Sequence, residues 1–273
     1  MKRTSITVLA LILGTAVMAA AARKPKPTPP PAPASCTAWT DSFNTGALDT
    51  SRWVAADGPA PGYIPDQHIG FYESVGVRMD NGMLTLTLLQ VNGPVGSNPA
   101  GVVSYGALVY TKATCGYGTY EWTMKMSSTA ICPTCVAPPV SGSVSAGFLY
   151  VNNSETEIDF EFSAMNPDTL WLVNWYNRTP TADPTEASET YTGVKPFNST
   201  DGFHTYRFVW SPGKISFYMD GLWKADHTTN VPSAPARFMI NHWGTHSTRW
   251  GGPATLGVMR YFYVTKASYT PPQ

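Results

Sequence analysis

Polar and apolar residues alternate one by one through long parts of this chain, and that period of two excludes most folds at once. Met83-Leu84-Thr85-Leu86-Thr87-Leu88 carries it, as do Tyr120 to Met126 and Ile215 to Asp220, and Met259 to Val264 is a last apolar run. Successive side chains of an extended strand point to opposite faces, so this alternation marks strands with one face on a core. No segment holds a helical period. The 24 Pro and 23 Gly supply frequent turns. Asp80-Asn81-Gly82, Ser211-Pro212-Gly213 and Asp220-Gly221 are turn signals with a mechanism, because Asn, Asp and Gly tolerate left-handed backbone. Many strands, short turns and no helix predict an all-β antiparallel sandwich or jelly roll. The stretch from Ser127 to Ser145 breaks the pattern with Cys132, Cys135, Pro133, Pro138 and Pro139, and reads as a loop insertion.

The first residues read as a segment to be removed. Lys2 and Arg3 precede an uncharged stretch from Ile6 to Met18, and Ala19 to Ala22 offer small-residue cleavage sites. That order predicts a secretory signal peptide over 1–22. Residues 23–35 are rich in proline, which favours a stiff polyproline II spacer. Residues 36–273 are then one domain, with ample length for a core. No later segment is long and apolar enough to span a bilayer, so the expectation is a secreted monomer that leaves the membrane once the leader is cut. Four cysteines, Cys36, Cys115, Cys132 and Cys135, form an even set in an oxidising compartment, which predicts disulfides and leaves three pairings open. Cys132-Pro-Thr-Cys135 has the spacing of a redox motif without the βαβ setting such motifs occupy. The 18 acidic and 18 basic residues balance with no basic stripe, which argues against a nucleic-acid partner. Only 13% of residues are charged while 12% are aromatic, a composition that suits flat rings packing on sugar faces.

One stretch is chemically loaded: Glu155-Thr156-Glu157-Ile158-Asp159-Phe160-Glu161-Phe162. As a strand it sends Ile158, Phe160 and Phe162 into a core and Glu155, Glu157, Asp159 and Glu161 to the other side. Like charges crowded on one face repel and raise some of their pKa values, which selection for stability alone does not favour. A solvated outer face usually mixes in Lys, Thr or Ser, and a calcium site usually draws its oxygens from a flexible loop. Glycoside cleavage needs such carboxylates. On a flat strand the Cα atoms of Glu157 and Glu161 lie about 13 Å apart. Inward lean and concave curvature bring the carboxyl groups to about 5–7 Å, which spans the retaining distance and reaches the inverting one. Asp159, one methylene shorter, bonds a neighbouring carboxyl without reaching the sugar.

At these residues the chain resembles glycoside hydrolase family 16. Glu157-Ile158-Asp159-Phe160-Glu161 matches the family's E-x-D-x-E signature in the form without a bulge, as in bacterial lichenases and plant xyloglucan transglycosylase/hydrolases. Asp41-Ser42-Phe43-Asn44, Gly116 to Glu121, His204 to Trp210 and Asn241-His242-Trp243 follow the family's order, so the resemblance covers nearly all of 37–268. It implies a curved, concanavalin-like β-jelly roll with an open substrate cleft. It also implies cleavage with retention, with Glu157 as nucleophile, Asp159 assisting it and Glu161 as acid/base. Phe148, Tyr150, Asn174, Tyr176, Asn241, Trp243 and Trp250 fall where lichenase-like enzymes hold glucose units. The implied partner is a polysaccharide, either mixed-linkage β-1,3-1,4-glucan, xyloglucan or β-1,3-glucan. No cofactor is required, no catalytic metal is implied, and a structural calcium, as in some members, is left open. Two readings on the same scaffold stand beside endo-hydrolysis: transglycosylation, and carbohydrate binding without catalysis. The chain departs from lichenases at Leu108 and Tyr110, where those carry a Glu and an Arg, and at Glu155, where they carry a Trp.

Overall fold

The computed structural model describes residues 36–129, 131–177 and 187–273. The expected leader, 1–22, and spacer, 23–35, lie outside the described residues. Seventeen strands make up the described fold. They are β1 (Trp39–Asp41), β2 (Trp53–Ala55), β3 (Gly58–Ile64), β4 (His68–Tyr72), β5 (Val77–Asp80), β6 (Met83–Val95), β7 (Asn98–Cys115) and β8 (Gly118–Ser128). They continue as β9 (Ser143–Val151), β10 (Thr156–Ser163), β11 (Leu170–Tyr176), β12 (Ser188–Val194), β13 (His204–Ser211), β14 (Lys214–Met219), β15 (Leu222–His227), β16 (Ala236–Gly244) and β17 (Arg260–Thr270).

These strands form two layers. One runs β15–β14–β13–β8–β17, with β6, β5 and β1 completing it around β17. The other runs β12–β11–β10–β9–β16–β7–β2. The long hairpin β6–β7 joins them: Leu84 to Leu88 pair with β17, and Leu89 to Val95 pair with β7. All these pairings are antiparallel, and β4 alongside β7 is a parallel exception. The turn signals act as expected. Asn81 and Gly82 have φ of 53° and 73°, and Asp220 and Gly221 have 53° and 77°. Positive φ at both central residues gives the hairpin twist that matches the flanking strands.

Between the layers lies an aromatic core. Ile158, Phe160 and Phe162 are fully buried from one sheet, and Trp122, Tyr206, Phe208 and Phe217 from the other. The Phe160 ring centroid lies 5.5 Å from those of Tyr206 and Phe217 and 6.1 Å from that of Trp122. Burial of each such ring contributes about 2–3 kcal/mol. The sheets approach closely here. A Cβ on Gly147, which pairs with Phe160 from β9, would sit 2.9 Å from Trp122 Cδ1, so glycine fits there. Of the three pairings left open by the sequence, the structure forms Cys36–Cys115 and Cys132–Cys135. The second closes the predicted loop between β8 and β9, where the Lys125 ammonium donates to the carbonyls of Pro133 and Cys135.

Candidate active site

Strand β10 sits between β9 and β11, and its outward face forms the floor of an open groove of about 1260 Å³. Three cross-strand rows build that floor. Glu161 stands between Trp171 and Ala146, with Asn241 and Leu108 further along. Asp159 stands between Val173 and Phe148, with Met239 beyond. Glu157 stands between Trp175 and Tyr150. The alternation of β10 is unbroken, so Glu157, Asp159 and Glu161 all line the groove while Ile158, Phe160 and Phe162 anchor the strand from behind.

Glu155 does not join them. The strand begins at Thr156, and Glu155 lies in the preceding turn, where its carboxylate accepts from Asn152 Nδ2 at 3.0 Å. A different fourth carboxylate, Glu189 of β12, enters the groove in the Glu157 row, beyond Trp175. Burial pushes the Glu157 carboxyl up to about 7, and the Ser154 hydroxyl, which donates to Oε2, opposes that rise. Burial and then the Glu157 charge push Glu161 up to about 8, while Trp250 Nε1 donates to its Oε1 at 3.4 Å. Asp159 is 4% exposed, and burial followed by the charges of Glu157 and Glu161 drives it well above the carboxylate range. The three titrate as a linked set, within which the Ser154 hydroxyl favours the ionised form of Glu157.

The other expected sugar contacts divide. Phe148, Tyr150, Asn241, Trp243 and Trp250 line the groove. Asn241 Nδ2 donates to Tyr72 Oη at 3.1 Å, and its buried Oδ1 has no protein partner among the described residues. Asn174 and Tyr176 are corrections to the sequence reading. Because Glu157 pairs with Trp175 and Glu161 with Trp171, the odd-numbered residues of β11 face the groove and the even-numbered ones the other side, where Leu170, Leu172 and Asn174 are buried and Tyr176 is half-exposed at the strand end. Asn174 is fully buried there, accepting from His227 at 2.7 Å and donating to the carbonyls of Thr229 and Asn230. Replacing Asn174 with alanine strands these partners. The expected result is a loss of about 1–3 kcal/mol of stability, read as a lower urea midpoint, with KM unchanged. A raised KM at unchanged stability would put Asn174 back among the sugar contacts.

Sequence reasoning missed Trp171, Val173, Trp175, Glu189, Tyr191 and Tyr72, all of which line the groove. The tryptophans at 171 and 175 carried a signal in their spacing of four on a strand. Tyr72 carried none, because β4 reaches the groove from far away in sequence. Two of the three lichenase departures lie on β7. Leu108 lines the groove, and the Tyr110 ring lies 4.9 Å beneath the Arg237 guanidinium. Among the described residues, no group of three or more His, Cys, Asp or Glu is arranged to hold a metal ion.

The family model for glycosyl hydrolases family 16 matches residues 67–259. A beta-glucanase of Acetivibrio thermocellus is 32% identical over 211 residues, 75% of this chain and 54% of that protein. A beta-glucanase of Paenibacillus polymyxa is 35% identical over 143 residues, 50% of this chain and 52% of its own. The chain thus spans about half the length of these relatives. Among solved structures, the beta-glucanase of Bacillus licheniformis superposes with a TM-score of 0.66 at 24% identity, covering 88% of this chain and all of that one. A lichenase from a mouse hindgut metagenome gives a TM-score of 0.67 at 23% identity, covering 87% of this chain. At those identities the superpositions speak to the jelly-roll fold, and the family model, spanning more than two thirds of the chain, speaks to descent: the chain belongs to glycosyl hydrolases family 16.

Proposed function

We propose that the protein is an exported endo-β-glucanase that cleaves internal bonds of a β-glucan with retention, mixed-linkage β-1,3-1,4-glucan foremost. The observation that carries this reading is the placement of Glu157, Asp159 and Glu161 on one face of β10, in the floor of an open groove walled by Trp171, Trp175, Trp243 and Trp250. Aromatic rings offer flat apolar faces to sugar C–H groups. An open groove accepts the middle of a polymer. The beta-glucanases named above favour a glucan, and the two disulfides favour an oxidising destination.

The chemistry follows from the environments of the two glutamates. Glu157, whose ionised form the Ser154 hydroxyl favours, attacks the anomeric carbon as Glu161 gives its proton to the departing glycosidic oxygen. The C–O bond breaks, one sugar chain leaves with a new hydroxyl, and the other is held on Glu157 as an ester. Water then attacks the same carbon, Glu161 takes its proton, and the Glu157 carboxylate is released. Asp159, held protonated by burial and by the two glutamates on either side, keeps a further negative charge away from Glu157. Leu108, which lines the groove, stands where lichenases carry a charged group, so the glucan units on that side meet a less polar wall.

The test is product analysis on barley mixed-linkage glucan, xyloglucan, laminarin and cellulose side by side, with NMR of the first-formed anomer. The expected result is short oligosaccharides from mixed-linkage glucan, appearing first as the β-anomer. First appearance of the α-anomer would overturn the double displacement. Label from an added oligosaccharide appearing in long chains would assign transfer to sugar in place of water.

A further inference from the structure

The turn that leads into β10 has an uncommon backbone. Asn152, Asn153 and Ser154 take φ of 42°, 50° and 61° in succession. Left-handed backbone is unfavourable for residues with a Cβ, and three in a row persist only where the surroundings hold them. Here the neighbouring strand holds them. Asn177, 1% exposed just past β11, donates its backbone N–H to Ser154 O at 2.8 Å and its Nδ2 to Asn153 O at 3.0 Å. The Glu155 N–H closes the turn onto Asn152 O at 3.0 Å.

Two results of that conformation point at Glu157. The Ser154 hydroxyl donates to Glu157 Oε2. The backbone of Asn153 and Ser154 opposes the rise that burial gives the Tyr150 hydroxyl, and Tyr150 stands directly across from Glu157 on β9. We infer that this turn is a positioning device for the nucleophile, in which Ser154 fixes one oxygen of Glu157 so that the other is presented to the anomeric carbon. The inference rests on the reading of Glu157 given above. A hydroxyl donating to a carboxylate favours its ionised form, so Ser154 acts against the groups that surround Glu157. Those groups are Asp159 and Glu161 on β10, Glu189 on β12, Tyr150 on β9 and Tyr72 on β4, with Arg237 of β16 turned onto Tyr110. Burial and Glu189 raise Glu157, and Ser154 is the group that lowers it.

Glycine separates the two roles of residue 154, because it accepts the left-handed backbone freely and has no hydroxyl. In the full chain, Ser154→Gly is expected to keep or raise Tm. The acid limb of kcat/KM moves up by about one pH unit, which is a loss of about tenfold below the limb, with KM within about twofold. Ser154→Thr keeps the hydroxyl and returns the limb to its original place. A Ser154→Gly enzyme with an unmoved acid limb and unchanged kcat overturns the inference, as does a folded Ser154→Thr enzyme that titrates like the glycine variant. The glycine variant decides alone where threonine disrupts the turn. A parallel Glu157→Ala enzyme, whose shortened side chain leaves room for a small anion, keeps the two ideas apart. If added azide revives it, Glu157 stands as nucleophile whatever Ser154→Gly does. If it keeps the original rate unaided, the reading of Glu157 fails first.

Discussion

Replacing Glu157 with glutamine is expected to lower kcat on a β-glucan by on the order of 10⁴-fold, with KM little changed. The amide fills the same space but cannot form the glycosyl ester, so the first displacement loses its nucleophile while the groove keeps its binding surface. The loss of a charge relieves crowding among Asp159, Glu161 and Glu189, so the variant is expected to melt no lower than the original at neutral pH. Activity lost by unfolding is thereby told apart from activity lost by chemistry. In Glu157→Ala, where truncation leaves that space open, azide supplies the missing nucleophile. With an activated aryl β-glycoside it attacks the face Glu157 would have used, and the product is the α-glycosyl azide. A β-glycosyl azide from this variant would move the nucleophile's role to another residue.

The parts of this site that were legible in sequence are those where one strand carries its own proof. In β10 the apolar set, Ile158, Phe160 and Phe162, alternates with the acidic set, so the strand announces both its faces, and the structure places each as the alternation requires. In β11 it does not. Leu170 and Leu172 face the core, but Trp171, Val173 and Trp175 on the groove side are apolar as well. With no contrast between faces, the one polar residue, Asn174, looked like the groove residue, and it is instead a buried hydrogen-bond junction for His227 and the Thr229–Asn230 turn. The phase of β11 is set by the connection 164–169, whose length fixes which residues oppose β10, and sequence does not declare that phase. Glu155 failed for a related reason. Period two extended one step too far, because the left-handed turn at 152–154 ends the strand before it. Disulfide pairing was beyond reach, since Cys36 meets Cys115 through the packing of distant segments.

Glu161 makes a prediction of a different shape, because its work depends on the leaving group. On a glucan the departing oxygen is an alkoxide unless it is protonated, so Glu161→Ala is expected to lose about 10²- to 10⁴-fold in kcat. On a dinitrophenyl β-glycoside the leaving group departs without a proton, and formation of the glycosyl-enzyme should stay within about tenfold of the original. Water then attacks without a base, so the intermediate accumulates as a burst, and azide resolves it to the β-glycosyl azide, the opposite anomer from that of the Glu157 variant. The pH profile carries the same assignment. In the intact enzyme, activity needs Glu157 without its proton and Glu161 with one. The acid limb therefore follows loss of the first proton from the linked pair and the alkaline limb loss of the second, and because burial raises both groups the optimum lies above the ordinary carboxylate range. Removing Glu161 removes the group whose deprotonation ends activity, so the alkaline limb should vanish on the aryl substrate while the acid limb stays. An alkaline limb that survives in Glu161→Ala would assign the proton to another group. Asp159 fits that part less well, since it is 4% exposed between the two glutamates and shorter by a methylene.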